Sequence, residues 1–345
     1  MKKQFLAAGF LLFSLILPTK ASATIFSQLY VFGDSLVDNG NFFSLTQDNL
    51  NIGIPPSPYF EGRFSNGPVW VEYLSDDLGL TATNFAVASA TTGDINTFNN
   101  NPLLPFPGLT QQIDSFLATN PQADQDALYI ISAGSNDYLG AGIQDFNQPV
   151  NNLLNVITNL ASVGAKNFLV PNLFNLGSIP ATQNTAIANE LNILTGLHNL
   201  ALSQSIQNLS QQRPSLNLNL FDVNSIFSQV INNPEEFPFT NLNDSCLEES
   251  IEFILATGQF TQCSNPNEYL FWDALHPTTT AHGILADAAF SAIEPQSVPE
   301  SGNTWGLLAL GALGAAGMIK QQQKKLASTL ASLVIAAKSS HTVEN

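Results

Sequence analysis

Leu29-Tyr30-Val31-Phe32 is an apolar run that breaks at Gly33-Asp34-Ser35. Short apolar runs bounded by turn residues read as buried strands. A strand is therefore predicted here, with Ser35 just past its carboxyl end, at the start of a helix. The next regular signal is at 68–78, where Val71, Leu74 and Leu78 recur at helical spacing and Pro68 suits a first turn. Residues 36–68 read as a polar, Pro- and Phe-rich loop. Pro55-Pro56-Ser57-Pro58-Tyr59-Phe60 forms no regular element and walls a cleft. Thr83 to Val87 is a second short strand. Leu109, Ile113, Phe116 and Leu117 mark an amphipathic helix ending near Asn120-Pro121. Ala127 to Ala133 is apolar throughout, as suits a central parallel strand buried on both faces. Leu153, Leu154, Ile157 and Leu160 form a further helix, Asn167 to Val170 a strand, and Ile187 to Ser210 a long helix. Leu216, Leu218 and Leu220 alternate with Asn217 and Asn219, so one face is wet and the strand lies at a sheet edge. Residues 232–267 form an insertion bordering the site, with helical spacing at Ile251, Ile254 and Leu255. Ala281 to Ile293 is the closing helix.

Strands alternating with helices predict an α/β class with a parallel sheet. The expected architecture is a three-layer α/β/α domain with a five-stranded sheet in flavodoxin-like order. Ligands in such sheets gather outside the carboxyl ends of the strands. Ser35 and Asn136, the latter in Gly134-Ser135-Asn136-Asp137, both emerge there. The plain alternatives are a helix cap for Ser35 or Asp34 and a turn residue for Asn136. Toward the other end, Asp273 precedes His276 by three residues and Pro277 stiffens the turn. A carboxylate on one imidazole nitrogen fixes the tautomer and leaves the other to take a serine proton. A surface turn is the alternative for a lone pair of this kind. No Gly-x-Ser-x-Gly turn surrounds Ser35, which disfavours the α/β-hydrolase fold.

Gly33-Asp34-Ser35-Leu36, Gly134-Ser135-Asn136-Asp137 and Asp273-x-x-His276, in that order, resemble the GDSL lipase/esterase family, also called SGNH hydrolases. The resemblance runs from about Gln28 to Ile293. Gly62-Arg63-Phe64-Ser65-Asn66-Gly67 and Val69 to Leu74 look like the branch shared by plant lipases and secreted bacterial esterases. The resemblance implies Ser35 as nucleophile, His276 as general base and Asp273 as its orienting acid. It implies an oxyanion hole from the Ser35 N–H, the Asn136 side chain and the N–H of Ser89, which stands where the family has glycine. The implied substrate is an ester, whether lipid, acylated glycan or small ester, with no cofactor or metal. An acyltransferase and a polysaccharide deacetylase use the same residues, and a non-catalytic surface-binding protein is the rival outside enzymes. Asp222 is a rival acid for His276. Arg63 reads as structural, His198 as an ordinary helix residue and His282 as packed near the site.

The net charge is −17, and between Thr24 and Gln296 the only basic residues are Arg63, Lys166 and Arg213. Nucleic-acid binding needs clustered Lys and Arg to neutralise phosphates, so it is excluded. Residues 1–23 read as a secretory signal: Lys2-Lys3, an apolar stretch from Phe5 to Leu17, and Ala21-Ser22-Ala23. An uncleaved anchor is the alternative. Export favours a bond between Cys246 and Cys263, the only cysteines, over two free thiols. Residues 24–294 form the hydrolase domain. Residues 295–320 are a linker and an apolar segment, with 304–319 an expected membrane anchor, and 321–345 a tail. Val298-Pro299-Glu300, the apolar stretch and Lys320, Lys324 and Lys325 resemble a bacterial PEP-type sorting signal. A helix packing on another protein is the alternative there. Oligomeric state is not readable.

Overall fold

The computed structural model describes residues 26–98 and 106–293. The signal-like segment 1–23 and everything from 294 onward, including the linker, the apolar 304–319 stretch and the tail, lie outside the described residues.

Five strands, β1 (Leu29–Gly33), β2 (Ala82–Asn84), β3 (Leu128–Ser132), β4 (Asn167–Pro171) and β5 (Asn217–Phe221), form a parallel sheet in the order β2-β1-β3-β4-β5. That is the flavodoxin-like order, with its switch point between β1 and β3. Alternation within each strand sorts the core. Leu29, Val31, Leu128, Ile130 and Leu169 face a cluster with α2 (Trp70–Leu78), α7 (Val223–Asn232) and α9 (Thr279–Ile293). Phe32, Tyr129, Ile131, Phe168 and Val170 face the opposite cluster, with α3 (Leu109–Thr119), α5 (Asn147–Ser162) and α6 (Ala188–Gln212). Both faces are covered, which is why β1 and β3 carry continuous apolar runs. β5 is an edge strand, as its Leu/Asn alternation predicts, and β2 is the other edge.

The register aligns Gly33 with Ser132, so the turns after β1 and β3 leave the sheet side by side. At Gly33 a Cβ would collide with the Ser132 carbonyl, and φ is +155°. The Gln112 amide, from α3, clamps this residue: it accepts from Gly33 N–H at 2.9 Å and donates to Gly33 O at 2.9 Å.

Several local expectations need correction. Residues 36–68 are not all loop, because α1 (Asn41–Leu50) lies within them. Its buried face is only Phe42 and Thr46, too sparse for a helical apolar pattern. Ser35 is in a hydrogen-bonded turn, not at a helix start: Val37 and Asp38 N–H both donate to Asp34 O, and α1 begins at Asn41. The second strand ends at Asn84. Phe85 and Val87 N–H still donate to Val31 O and Gly33 O along the flank of β1. The short α4 (Ser135–Leu139) and α7 were not anticipated either. The insertion contributes β6 (Asn241–Ser245) and α8 (Ile251–Thr257). β6 pairs with β7 (Tyr269–Phe271) in a separate two-stranded sheet. Cys246 and Cys263 are disulfide-bonded. Among the described residues no helix is long and apolar enough to cross a membrane.

Candidate active site

The turn after β1 is built by its own side chains. Asp38 is fully buried. Its Oδ1 accepts N–H bonds from Gly40 (2.8 Å) and Asn41 (2.7 Å), and its Oδ2 from Phe42 (3.1 Å) and Ala88 (2.8 Å). One carboxylate therefore starts α1 and ties the β2-following segment beside the Ser35 turn. Asn41 and Asn84 add cross-links, to Asn84 O and Ala86 O from the first and to Val37 O from the second. The Asp38-Asn39-Gly40-Asn41 run after Ser35 is thus a scaffold of buried acceptors and donors.

The far end of the chain supplies a matching turn after β7. Asp273 Oδ1 accepts the N–H groups of Leu275 (2.8 Å) and His276 (2.7 Å), so the Asp-x-x-His spacing folds upon itself. His276 Nδ1 lies 2.8 Å from Asp273 Oδ2 and 2.9 Å from Oδ1. His276 Nε2 lies 2.9 Å from Ser35 Oγ. An ionised carboxylate only accepts, so Nδ1 carries the proton and Nε2 accepts from the serine hydroxyl. Ser65 Oγ donates to Pro277 O, Asn66 Oδ1 accepts Thr279 N–H, and the Phe64 ring packs 5.0 Å from the His276 ring. The 62–67 segment thereby braces the histidine turn.

Burial works to raise the Asp273 carboxyl. The charge of His276, with hydrogen bonds from His276, Tyr59 and Leu275, outweighs it and holds the group below its ordinary value. Asp34, beside Ser35, goes the other way. Its burial pushes it up to about 7, against the Leu36 N–H that bonds Oδ1 and the charge of His276, while Asp137 and Asp38 add to the rise.

Ser35, Ser89 and Asn136 line one cavity of about 340 Å³ with Asp273 and His276. Phe42, Ile54, Phe64, Phe98, Leu247 and Ile251 make much of it apolar. The N–H groups of Ser35 and Ser89 have no acceptor among the described residues. Ser89 adopts φ +66°, the left-handed region that glycine favours. Thr97 anchors it there, donating N–H and Oγ1–H to Ser89 O at 2.9 and 3.2 Å. Asn136 Nδ2 donates to Ala90 O at 3.0 Å, which orients the amide and leaves its second N–H.

The other candidates sit elsewhere. Asp222 caps α7, bonding Ser225 and Asn172 and not His276. Arg63 pairs with Glu72 at 2.6 Å. His198 is buried with Nδ1 2.8 Å from the Tyr138 hydroxyl, and burial pushes it down to about 4. His282 Nδ1 accepts Trp70 N–H, and burial followed by the charge of His276 pushes it down to about 3. Among the described residues no three His, Cys, Asp or Glu side chains converge to hold a metal ion. Tyr59 was not anticipated: its hydroxyl donates to Asp273 Oδ2 at 2.7 Å, across 214 positions of chain. The only hint was its place in a loop expected to wall the cleft.

Comparison with known proteins assigns the chain to a family. The model of GDSL-like Lipase/Acylhydrolase matches residues 29–289. A phosphatidylcholine-sterol acyltransferase of Aeromonas hydrophila is 29% identical over 318 residues, covering 80% of this chain and 92% of that protein. A thermolabile hemolysin of Vibrio parahaemolyticus is 26% identical over 275 residues, covering 76% and 62%. A GDSL esterase/lipase of Arabidopsis thaliana is 28% identical over 317 residues, covering 77% and 82%. The chain belongs to the GDSL-like lipase/acylhydrolase family and is an ester-hydrolysing enzyme.

Proposed function

We propose that the protein is an exported serine esterase or lipase acting through an acyl-enzyme on Ser35. Ser35 Oγ attacks the ester carbonyl carbon as His276 Nε2 takes its proton. The carbonyl oxygen becomes an oxyanion, held by the N–H groups of Ser35 and Ser89 and the free amide N–H of Asn136. Collapse breaks the acyl C–O bond, and His276 returns the proton to the leaving alkoxide. Water then repeats the sequence on the acyl-enzyme and frees the acid. Asp273 keeps the imidazole in the tautomer that both steps need.

The observation that carries this reading is the continuous chain Ser35–His276–Asp273, at 2.9 and 2.8 Å, opening on a largely apolar cavity. The apolar walls suit an acyl chain. The signal-like residues 1–23 and the Cys246–Cys263 bond support export. Acyl transfer is the second reading, favoured by the similarity to the Aeromonas acyltransferase. It differs only in an alcohol replacing water at the second step. Replacing Ser35 by Ala should lower kcat on a p-nitrophenyl ester by a factor on the order of 10⁶ in a protein that still melts cooperatively. Retained turnover would refute the assignment. Product analysis with and without an added alcohol separates hydrolysis from transfer.

A further inference from the structure

We propose that Tyr59 is a positioning residue of the reaction, its hydroxyl fixing the Asp273 carboxylate against the His276 ring and tempering the charge that the ring meets. This rests on the proposed role of His276 as proton carrier. Asp273 Oδ1 is already occupied by the Leu275 and His276 N–H groups, whereas Oδ2 has the His276 ring and the Tyr59 hydroxyl. The carboxylate can only accept, so the phenol donates. Burial, and then the Asp273 charge, push ionisation of Tyr59 far above its ordinary range, so the donor keeps its proton. Its ring is seated edge-on at 6.0 Å from Trp272 and 6.1 Å from Phe64, and Phe64 in turn packs against His276. Acid and base are therefore buttressed from one side by the 54–64 loop.

The hydroxyl has an electronic consequence that packing lacks. A hydrogen bond to Oδ2 draws charge away from the ring partner. Removing it leaves more negative charge facing Nδ1–H, which holds the imidazolium more firmly. His276 then gives up its proton less readily to the leaving group. It also stays protonated, and unable to accept from Ser35, to a higher pH. The other titratable groups around this pair are Asp34 and His282 beside His276, Glu252 beside Tyr59, and Glu248 and Glu249 on the shared cavity, and removing only the hydroxyl takes no charge from any of them.

Tyr59→Phe removes the hydroxyl and keeps the ring. Its kcat on an ester of an alkyl alcohol, whose alkoxide needs the His276 proton, should fall about tenfold, the scale of one hydrogen bond to a charged group, with KM little changed. The acid limb of its kcat/KM profile should move to higher pH. In an Asp273→Asn background the same change should have little further effect. As a second variant, 3-fluorotyrosine at position 59, a stronger donor, should move the acid limb to lower pH even if Tyr59→Phe folds poorly. An acid limb that does not move in either variant overturns the proposal, whatever happens to kcat. Labelling of wild-type Ser35 by a fluorophosphonate, run alongside, keeps the two claims apart. Labelled serine with an unmoved limb sinks only the role of Tyr59, and no labelling sinks the nucleophile assignment beneath it.

Discussion

Asp38 holds the two sides of the proposed oxyanion hole together, and Asp38→Asn tests whether they depend on it. The carboxylate lies three residues after Ser35 and accepts the N–H of Ala88, immediately before Ser89. Burial pushes Asp38 up to about 6 against its four backbone donors, so at pH 8 it is ionised and accepts from all four. Asparagine keeps one acceptor oxygen and puts an NH₂ where the other stood. Two buried N–H groups then lose their acceptor and face a donor. At about 1–3 kcal/mol for each stranded donor, the loss is about 2–6 kcal/mol, but removing a carboxylate raised from 3.8 to about 6 returns about 3 kcal/mol of it at pH 8. If the amide nitrogen takes the Oδ2 position, the Ala88 link breaks and the Ser89 N–H drifts from the nucleophile. Losing one oxyanion donor costs about 10²–10³ in kcat, so a partial displacement should cost at least about tenfold. Urea unfolding at pH 8 should therefore show a midpoint within about 1 M of wild type, and p-nitrophenyl ester kinetics a lower kcat with similar KM. A variant with wild-type kcat would refute the reasoning.

Asp34→Asn should change the pH dependence of stability. The Asp34 carboxyl is raised in the folded state, so the native protein loses stability as pH rises from the unfolded value of 3.8 toward about 7. The Tm advantage of the variant should therefore widen from pH 4 to pH 8, by up to about 4 kcal/mol in stability; an advantage independent of pH would contradict the buried-acid account. Ser89→Gly keeps the N–H and relieves a left-handed serine. It should hold kcat within about threefold and match or exceed wild-type Tm, because αL costs an ordinary residue ~1–2 kcal/mol; a large fall in kcat would assign the hydroxyl a role. Asn136→Ala removes a side-chain donor and should lower kcat by about 10²–10³, with a modest fall in Tm because the buried Ala90 carbonyl loses its donor.

The layers of the fold were readable because period-2 burial leaves continuous apolar runs where both faces are covered, as in Ile130-Ile131 of β3. The edge position of β5 was readable from its wet asparagines. Helix α1 was not, since its one deep anchor, Phe42, and the hydroxyl of Thr46 make no stripe. The carboxyl-edge positions of Ser35 and Asn136 followed from the ends of apolar runs, and the Asp273–His276 pairing from a spacing that one turn closes. Tyr59 was hidden because a single long-range hydrogen bond leaves no periodic trace. Ser89 shows the opposite case: a residue poorly suited to positive φ is held there by Thr97, a compensation that a turn rule cannot see.

The central claim is that the oxygen of residue 35 carries the acyl group. Intact-mass analysis after a fluorophosphonate probe, with peptide mapping, tests it most directly. The account predicts one adduct per chain, located on Ser35, absent in Ser35→Ala and slowed in His276→Ala. An adduct on another residue, or ester turnover that persists with Ser35 unmodified, would contradict it.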